Sequence, residues 1–210
     1  MDLIQQHLGG QYAMFFCEEF AWQKLIPTQT WDQCLSTVNL ALRQHGRVLS
    51  KWPTGLANNA AKLVRVSVIH QNLSREFIRK PFLVYEKNNQ WILNVGDTRL
   101  MALAAASDPR PVSVLLTCRT NEVEKYTNWT RITDTKSLLE ITGFPTGQVL
   151  VTPSSPESDF AFEWFEIGDS TTSHHLHDQQ QRLNMMQQYL DQQPQNFQFG
   201  KDWLLKGINW

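Results

Sequence analysis

A single glycine separates a strand-like run from a run of strong helix formers. Trp91 to Val95 has the composition of a β-strand, Gly96 follows it, and Thr98 to Ala106 is rich in Leu, Met and Ala. A strand that turns into a helix within two residues needs a sheet and a helix side by side, which few architectures provide. The sequence therefore predicts an α+β protein organised around this turn.

Apolar runs on both sides of the turn complete a predicted mixed sheet. Leu63 to Ile69 alternates like a strand, Pro81 to Val95 is typical of a β-hairpin with Asn88-Asn89 at its turn, and Val112 to Cys118 is short enough for a buried strand. The order of strand, hairpin, glycine turn, helix and strand predicts a central core at residues 61 to 120.

The segments outside this core carry weaker signals. Residues 1 to 60 are predicted to be mainly helical, because apolar residues recur every three to four positions from Thr30 to His45, whereas Ala13 to Leu25 fits either a helix or a strand. Residues 121 to 210 are predicted to form an α+β extension. Its expected elements are a helix at 134 to 141, strands at 147 to 152 and 160 to 167, and a Gln-rich amphipathic helix at 178 to 193.

The composition excludes several classes of protein. With 41% hydrophobic residues over 210 positions the chain has ample material for a core, and a net charge of −1 provides no overall cationic field for nucleic acid. No run reaches the roughly 18 to 20 apolar residues of a membrane span, and the first residues lack a secretory signal. We therefore expect a cytoplasmic protein with no membrane contact.

Cysteine and histidine usage gives little support for a metal site. Cys17, Cys34 and Cys118 are odd in number and widely spaced, which predicts core thiols rather than disulfides or a zinc site. The segment His174 to Asp178 gathers three imidazoles and a carboxylate, but no second cluster supplies further ligands. We expect this segment to be a solvated loop that leads to an N-cap at Asp178, and no metal ion to be bound.

The glycine turn has the features of an anion site. A helix that begins directly after a strand leaves main-chain N–H groups unpaired at its positive end, and Gly96 allows a phosphate to approach them closely. Thr98 offers a hydroxyl, and Arg99, expected as an exposed first-turn side chain, offers a planar guanidinium that suits phosphate oxygens. Asp97 would bind a metal ion, accept a proton or orient Arg99. The alternative is an ordinary turn with an N-cap at Asp97 or Thr98 and a surface arginine.

The residues around this turn also form a family motif. Gly-Asp-Thr-Arg-Leu-Met-Ala occupies positions 96 to 102, Arg75 and Lys80 to Val84 precede it, and Arg110 to Val114 follows it. With these residues the segment from about Val66 to Cys118 resembles the amino-terminal domain of the ParB/sulfiredoxin superfamily. Members of that superfamily carry Gly-Glu-Arg-Arg-x-x-Ala, or Gly-Cys-His-Arg in sulfiredoxins, between a strand and a helix.

The resemblance implies a ParB/sulfiredoxin-like mixed-sheet core that binds the phosphates of a nucleotide. Gly96, Thr98 and Arg99 would hold the phosphates, with Arg75 as a helper. The cofactor would be a nucleoside triphosphate with Mg²⁺, and Asp97 is the candidate catalytic residue.

Two departures from the family pattern limit what the resemblance implies. Asp97 stands where sulfiredoxins have cysteine, so the thiolate chemistry of those enzymes is not expected. Thr98 replaces the second arginine of partition proteins, and residues 121 to 210 lack a convincing helix-turn-helix, so full partition activity is not expected either.

Positive charges concentrate at the start of the predicted core. Lys62, Arg65, Arg79 and Lys80 are predicted to form, together with Arg99, a basic patch for a polyanion if the first two predicted strands of the core are neighbours. The alternative is a solvated sheet edge on which lysine and arginine prevent pairing with another edge.

These features lead to one main functional hypothesis and two alternatives. We expect a ParB-like protein that binds a nucleotide or phosphate and acts on or near nucleic acid, as in a phage or mobile element. The first alternative is a non-catalytic protein–protein interaction module that keeps the same fold, and the second is a metal-dependent nuclease with Asp97 as ligand. The residues do not decide whether the chain is an enzyme.

The last residues of the chain are too apolar for a free tail. Residues 195 to 210 include Phe197, Phe199, Trp203 and Trp210, so the segment is predicted to dock on this chain's own sheet or on another protein, with self-association favoured. Trp203 is expected to be buried in either case.

Overall fold

The chain forms two compact units, each assembled from several stretches of sequence. The computed structural model describes residues 3–71, 73, 81–142, 149–153, 162–166, 171–208 and 210. The sheet unit comprises Met1–Thr28, Glu76–Asp97 and Pro109–Thr171, and the helical unit comprises Gln29–Arg75, Thr98–Asp108 and Thr172–Trp210. The boundaries expected at residues 60 and 120 do not coincide with these units, because both units are discontinuous in sequence.

A mixed six-stranded sheet forms the centre of the sheet unit, which confirms the predicted α+β class. Its strands lie in the order β2-β4-β3-β5-β1-β6. The β2–β4 and β3–β5 pairs are parallel, and the other pairs are antiparallel. In chain order the strands are β1 (Tyr12–Phe20), β2 (Leu25–Ile26), β3 (Phe82–Lys87), β4 (Gln90–Val95), β5 (Val112–Arg119) and β6 (Thr130–Ile132).

Strand β5 lies in the middle of the sheet, between β3 and β1. Every residue of β5 except Arg119 is buried, which agrees with the continuous apolar run in the sequence and with a central position. The segment 13 to 25, which fitted either a helix or a strand, is largely strand β1, and Phe15 pairs with Leu116 in the antiparallel register. Burial of aromatic and β-branched residues on both neighbours stabilises this pairing.

The predicted hairpin at 81 to 95 is confirmed as β3 and β4. Asn88 and Asn89 have positive φ values of 55° and 60°, and Lys87 pairs with Gln90 across the two-residue turn. Two consecutive left-handed residues define the hairpin turn whose twist matches that of paired strands, and asparagine tolerates this conformation better than most residues.

Two helices cover the β1–β6 side of the sheet. They are α1 (Leu3–Leu8) and α5 (Thr135–Thr142), of which the second confirms the helix predicted at 134 to 141. Both contribute to one hydrophobic cluster with the strands. Its buried members are Ile4, Leu8, Met14, Leu83, Leu115, Ile132 and Leu138.

Asp134 caps α5 and should make the stability of the folded chain depend on pH. Its Oδ1 accepts a 2.7 Å hydrogen bond from the Ser137 N–H, and this bond, ahead of one from Thr133, lowers the pKa of Asp134 below its usual value of 3.8. A depressed folded-state pKa gives stabilisation that is present above the unfolded pKa and lost as pH falls through the folded pKa. We therefore expect Asp134→Ala to lower the melting temperature at pH 7 but to have little effect at the lowest pH at which the chain stays folded.

The matched control for this prediction is Asp134→Asn. Asparagine caps helices about as well as aspartate and does not titrate, so its effect should stay small at both pH values. An alanine effect that does not change with pH would contradict the role of the charged cap.

The remaining strands of the sheet unit form a separate hairpin. β7 (Val149–Pro153) and β8 (Phe162–Glu166) pair antiparallel, so both strands expected beyond residue 120 are confirmed in type.

A carboxylate with little solvent exposure joins β3 to the 3₁₀ segment Thr120–Tyr126. The side chain of Glu86 is 7% exposed, and its two oxygens accept hydrogen bonds from the Lys125 ammonium at 3.0 Å and from the Tyr126 hydroxyl. Tyr126 is itself buried and packs its ring against Phe15 and Trp129. A buried carboxylate needs such partners, because without them its desolvation is not offset.

We expect Tyr126→Phe to lower the free energy of unfolding by about 2 kcal/mol, since a hydrogen bond to a charged, desolvated group is lost while the ring packing remains. Chemical denaturation measures the change. The same substitution in a Glu86→Gln background should cost clearly less, and equal costs in the two backgrounds would show that the hydroxyl does not act through Glu86.

The helical unit contains three long helices and most of a fourth. They are α2 (Trp31–His45), α3 (Thr54–Gln71), α6 (Thr171–Asp191) and, from Thr98 onward, α4 (Asp97–Ala106). Helix α2 confirms the prediction for Thr30 to His45. Thr30 and Gln33 form a capping box at its start, and Gly46, with φ 72°, lies at its end.

The predicted strand at 63 to 69 is wrong, because these residues lie inside α3. Ala57, Ala60, Ala61 and Val64 are all buried at helical spacing, and strong helix formers precede the valine-rich part. Residues 63 to 69 continue this helix without a breaker, so tertiary burial overrides their preference for a strand.

Helix α6 begins earlier than expected. The segment His174 to Asp178, predicted as a loop, is helical, because nothing between Thr171 and Asp178 is glycine or proline. The predicted Gln-rich helix is confirmed, and it ends at Asp191, three residues before Pro194.

The segment after α6 docks on helices of its own unit. Trp203 is 1% exposed, its ring packs against those of Trp31 and Phe199, and its Nε1 donates a 2.9 Å hydrogen bond to the Tyr189 hydroxyl. Asn39 fixes the approach to this contact by exchanging two hydrogen bonds with the main chain of Phe199. The expected burial of Trp203 is confirmed; self-association stays a prediction.

Within the described ranges, no helix is long and apolar enough to span a membrane.

Candidate functional site

The glycine turn has the local geometry expected of it. Gly96 has φ 129°, a conformation that other residues rarely adopt, and α4 begins at the next residue. The helix predicted at 98 to 106 is thus confirmed, one residue longer at its start. Its first-turn N–H groups have no partner within the helix, as in any helix start.

Asp97 is engaged by a neighbouring turn of the sheet unit. Its Oδ1 accepts a 3.2 Å hydrogen bond from the Thr28 N–H, and its Oδ2 accepts one from the Thr28 hydroxyl. Thr28 follows strand β2, which pairs with β4 at the edge of the sheet. These bonds tie the end of β2 to the end of β4 and give Asp97 a structural role; its catalytic role stays a prediction.

We expect Asp97→Ala and Thr28→Ala each to lower the free energy of unfolding by about 1 kcal/mol, because each removes the same partly exposed contact. The double variant should cost little more than either single one, and urea denaturation of the four proteins gives this coupling. Strictly additive losses would contradict the pairing. A catalytic Asp97 would be revealed separately, by loss of an activity in Asp97→Ala but not in Thr28→Ala.

Arg99 is half-buried in the first turn of α4, not an exposed side chain as expected. Burial, followed by the nearby charge of Arg65, lowers the pKa of Arg99 to about 10. The expectation was wrong because the exposure of a first-turn residue depends on which helices pack beside it. At neutral pH the guanidinium remains charged, because this pKa lies well above 7.

Arg65 is the charged residue whose effect on the pKa of Arg99 adds to that of burial. It is an exposed side chain of α3, in the same unit as Arg99. Both arginines were singled out in the sequence, but the basic patch was derived from two neighbouring strands, and Arg65 lies on a helix instead. The predicted grouping of Arg65 with Arg99 therefore involves helices α3 and α4 and not two neighbouring strands.

Lys62 adds a third positive charge one helical turn before Arg65. Its Nζ donates a 2.8 Å hydrogen bond to Gln29, whose own amide donates to Asn59 at 2.8 Å. This chain of amides holds the Lys62 ammonium in position. Residues three apart on a helix project from the same side, so Lys62 and Arg65 present their charges together.

Four other residues were predicted to belong to the site or to its basic patch. Arg75, Arg79 and Lys80 lie outside the described residues. Thr98 is half-buried next to Arg99 in sequence, in the first turn of α4.

Thiol and metal chemistry receive no geometric support among the described residues. No three side chains of His, Cys, Asp or Glu come together there as metal ligands. Cys34 and Cys118 are buried and Cys17 is half-buried, all as free thiols. Burial raises the pKa of Cys118 to about 11 and also raises that of Cys17, which keeps both in the unreactive thiol form at neutral pH.

Comparison of the chain with protein-family models, with curated proteins and with solved structures finds no significant match. Inference about function therefore depends on the residues of the chain and on their geometry.

Proposed function

We propose that this chain binds a phosphate-bearing ligand through Arg65 and Arg99 of the helical unit, as a ParB-like nucleotide-binding protein acting on or near nucleic acid. The observation that supports the proposal most is the environment of Arg99, in which burial, followed by the nearby charge of Arg65, lowers the pKa of its guanidinium to about 10. In the proposed site one phosphate contacts both guanidinium groups.

The guanidinium of Arg99 remains available as a charged donor. Burial, followed by the charge of Arg65, disfavours its charged form, yet a pKa of about 10 leaves it charged at neutral pH. Each planar guanidinium can donate two parallel hydrogen bonds to phosphate oxygens. Interactions in a partly desolvated site are also screened less by salt than those of freely exposed lysines.

Two further groups suit a ligand larger than a single phosphate. Thr98 offers a hydroxyl beside Arg99 in sequence, and Lys62 offers an ammonium one turn from Arg65 on α3. A chain of phosphates, as in a nucleoside triphosphate, presents several oxygens to such a spread of donors. The resemblance of positions 96 to 102 to the ParB motif supports the same class of ligand.

A nucleic-acid context is compatible with the charge distribution. The net charge of −1 gives no long-range attraction to a polyanion, so contact with nucleic acid would depend on the local group of Lys62, Arg65 and Arg99. The proposed ligand is therefore a compact phosphate group or nucleotide, with nucleic acid as the setting in which it acts.

A thermal-shift screen tests the proposal. Nucleoside triphosphates with Mg²⁺, pyrophosphate and nucleosides without phosphate are each added at millimolar concentration, and a ligand that binds the folded state raises the melting temperature by mass action. We expect shifts with the triphosphates and with pyrophosphate but not with the nucleosides. If no phosphate compound produces a shift, the proposal is wrong and the interaction-module alternative is favoured.

A further inference from the structure

The helical unit contains a second candidate site, an open groove between the start of α3, the turn at residues 48 to 52 and the α6 helix. Its volume is about 1020 Å³, which exceeds what a single small metabolite fills. Leu49, Trp52 and Ala57 form its apolar floor. None of the residues proposed for phosphate binding lines it.

Side-chain amides dominate the walls of this groove. Asn58 lies on α3, and Gln179, Gln180, Asn184 and Gln187 lie along α6. Each side-chain amide presents an N–H donor and a C=O acceptor, as a peptide group does, so it can pair with one C=O and one N–H of an extended main chain.

The chain already uses this mode of recognition at one end of the groove. Gln187 accepts a 2.9 Å hydrogen bond from the Leu49 N–H, and the preceding Val48 has the extended angles φ −89° and ψ 95°. Arg47 extends the contact by donating to main-chain carbonyls after the end of α6, at Gln193 and Pro194. The main chain at Leu49, where a 3₁₀ turn begins, is thus already bound by a side-chain amide of α6.

The amides that precede Gln187 on α6 have donors and acceptors available for further hydrogen bonds. Gln180 Nε2 donates to Asn184 Oδ1 at 3.0 Å, and Gln179 donates to Asn58 across the groove. The first bond leaves the carbonyl of Gln180 and the amide N–H groups of Asn184 on neighbouring helical turns, which suits one N–H and one C=O of a bound peptide group.

The charge and length of the groove limit the kinds of ligand that it could bind. Asp191 is the only charged residue among those described as lining it, so a polyanion is disfavoured and an acidic peptide would be repelled. Residues 179 to 191 of α6 span about 18 Å, which corresponds to about five residues of extended chain. Val48, 45% exposed, and half-buried Leu183 offer apolar contacts to alternate side chains of such a segment.

We infer that this groove binds an extended segment of a partner polypeptide, about five residues long and without acidic side chains. The segment lies along α6, with its main chain held by the amides and every second side chain turned toward the apolar floor. This is a binding site for protein, separate from the phosphate site and independent of it.

Selection from a phage-displayed library of random heptapeptides tests the inference with the full chain as bait. The most enriched sequences are then synthesised with a fluorescent label, and their affinity is measured by fluorescence polarisation. We expect enriched peptides poor in Asp and Glu, and at least about a tenfold loss of affinity in the double variant Gln180→Ala, Asn184→Ala.

The matched control is the double variant Gln181→Ala, Gln188→Ala, which removes two exposed amides of the same helix that do not line the groove. Its affinity for the selected peptides should lie within about twofold of that of the wild type. Both double variants should have the melting temperature of the wild type, since alanine favours a helix. No enrichment over beads without the chain, selection of acidic peptides, or equal affinity for the two double variants would overturn the inference.

Discussion

Replacing Trp203 by alanine is expected to lower the free energy of unfolding of the helical unit by about 3–5 kcal/mol. The indole is 1% exposed and packs against Trp31, Tyr189, Phe199 and Trp210, so its removal leaves a cavity among rings that cannot easily close it. It also leaves the Tyr189 hydroxyl without the donor at 2.9 Å. Urea denaturation followed by circular dichroism measures the loss.

Leu205→Ala is the matched control for this prediction. Leu205 lies in the same 3₁₀ turn, Trp203–Lys206, but is 66% exposed, so its truncation should change stability by less than about 0.5 kcal/mol. Deleting residues 195 to 210 should have a larger effect than Trp203→Ala and should cause aggregation, because the aromatic surface of α2 and α6 loses its cover. A truncated chain with unchanged stability would contradict the account of this segment.

Arg65→Gln is expected to reduce affinity for pyrophosphate or a nucleoside triphosphate by about tenfold to a hundredfold, the equivalent of about 1.5–3 kcal/mol for a lost charge-assisted hydrogen bond. Because Arg65 is exposed, the melting temperature without ligand should change little. Isothermal titration calorimetry at low salt measures the affinity.

Arg99→Gln should behave differently, because the half-buried guanidinium contributes to packing as well as to binding. It should weaken ligand binding and also shift the melting temperature. The matched control is Arg43→Gln, which removes an exposed arginine of α2 in the same unit and should alter neither property. Equal affinities for wild type, Arg65→Gln and Arg43→Gln would contradict the proposed site.

The sequence predicts well those elements whose signals are local. The paired asparagines at 88 and 89 define a hairpin turn, Thr30 and Gln33 form a capping box, and Gly96 marks the start of α4. In each case a few adjacent residues satisfy a specific backbone requirement. Tertiary packing has little room to override such signals.

The α3 helix shows where local propensity fails. Its valine-rich second half alternates like a strand, but the buried alanines at positions 57, 60 and 61 have helical spacing and belong to the same element. A longer window would have included them and favoured the helix. Because the strand assignment was wrong, the sequence grouped Arg65 with Arg99 through a basic sheet face, whereas the two residues lie on helices α3 and α4.

The contacts within the candidate site could not be predicted from the sequence. Asp97 and Thr28 are 69 positions apart, and nothing in either segment indicates that the ends of β2 and β4 meet. The partial burial of Arg99 likewise depends on packing, not on its own neighbours in sequence. Residue types predict a phosphate site near the glycine turn, whereas the fold decides which side chains could share such a site.

NMR spectra of the arginine Nε–H groups during a titration with pyrophosphate test the central claim most directly. Each arginine gives its own Nε–H signal. The signal that disappears in the Arg65→Gln variant is assigned to Arg65. The account predicts that the signals of Arg65 and Arg99 move together, saturate, and give the same dissociation constant, while that of Arg43 stays in place. Saturable binding that leaves Arg65 and Arg99 unaffected, or no binding at millimolar pyrophosphate, would contradict it.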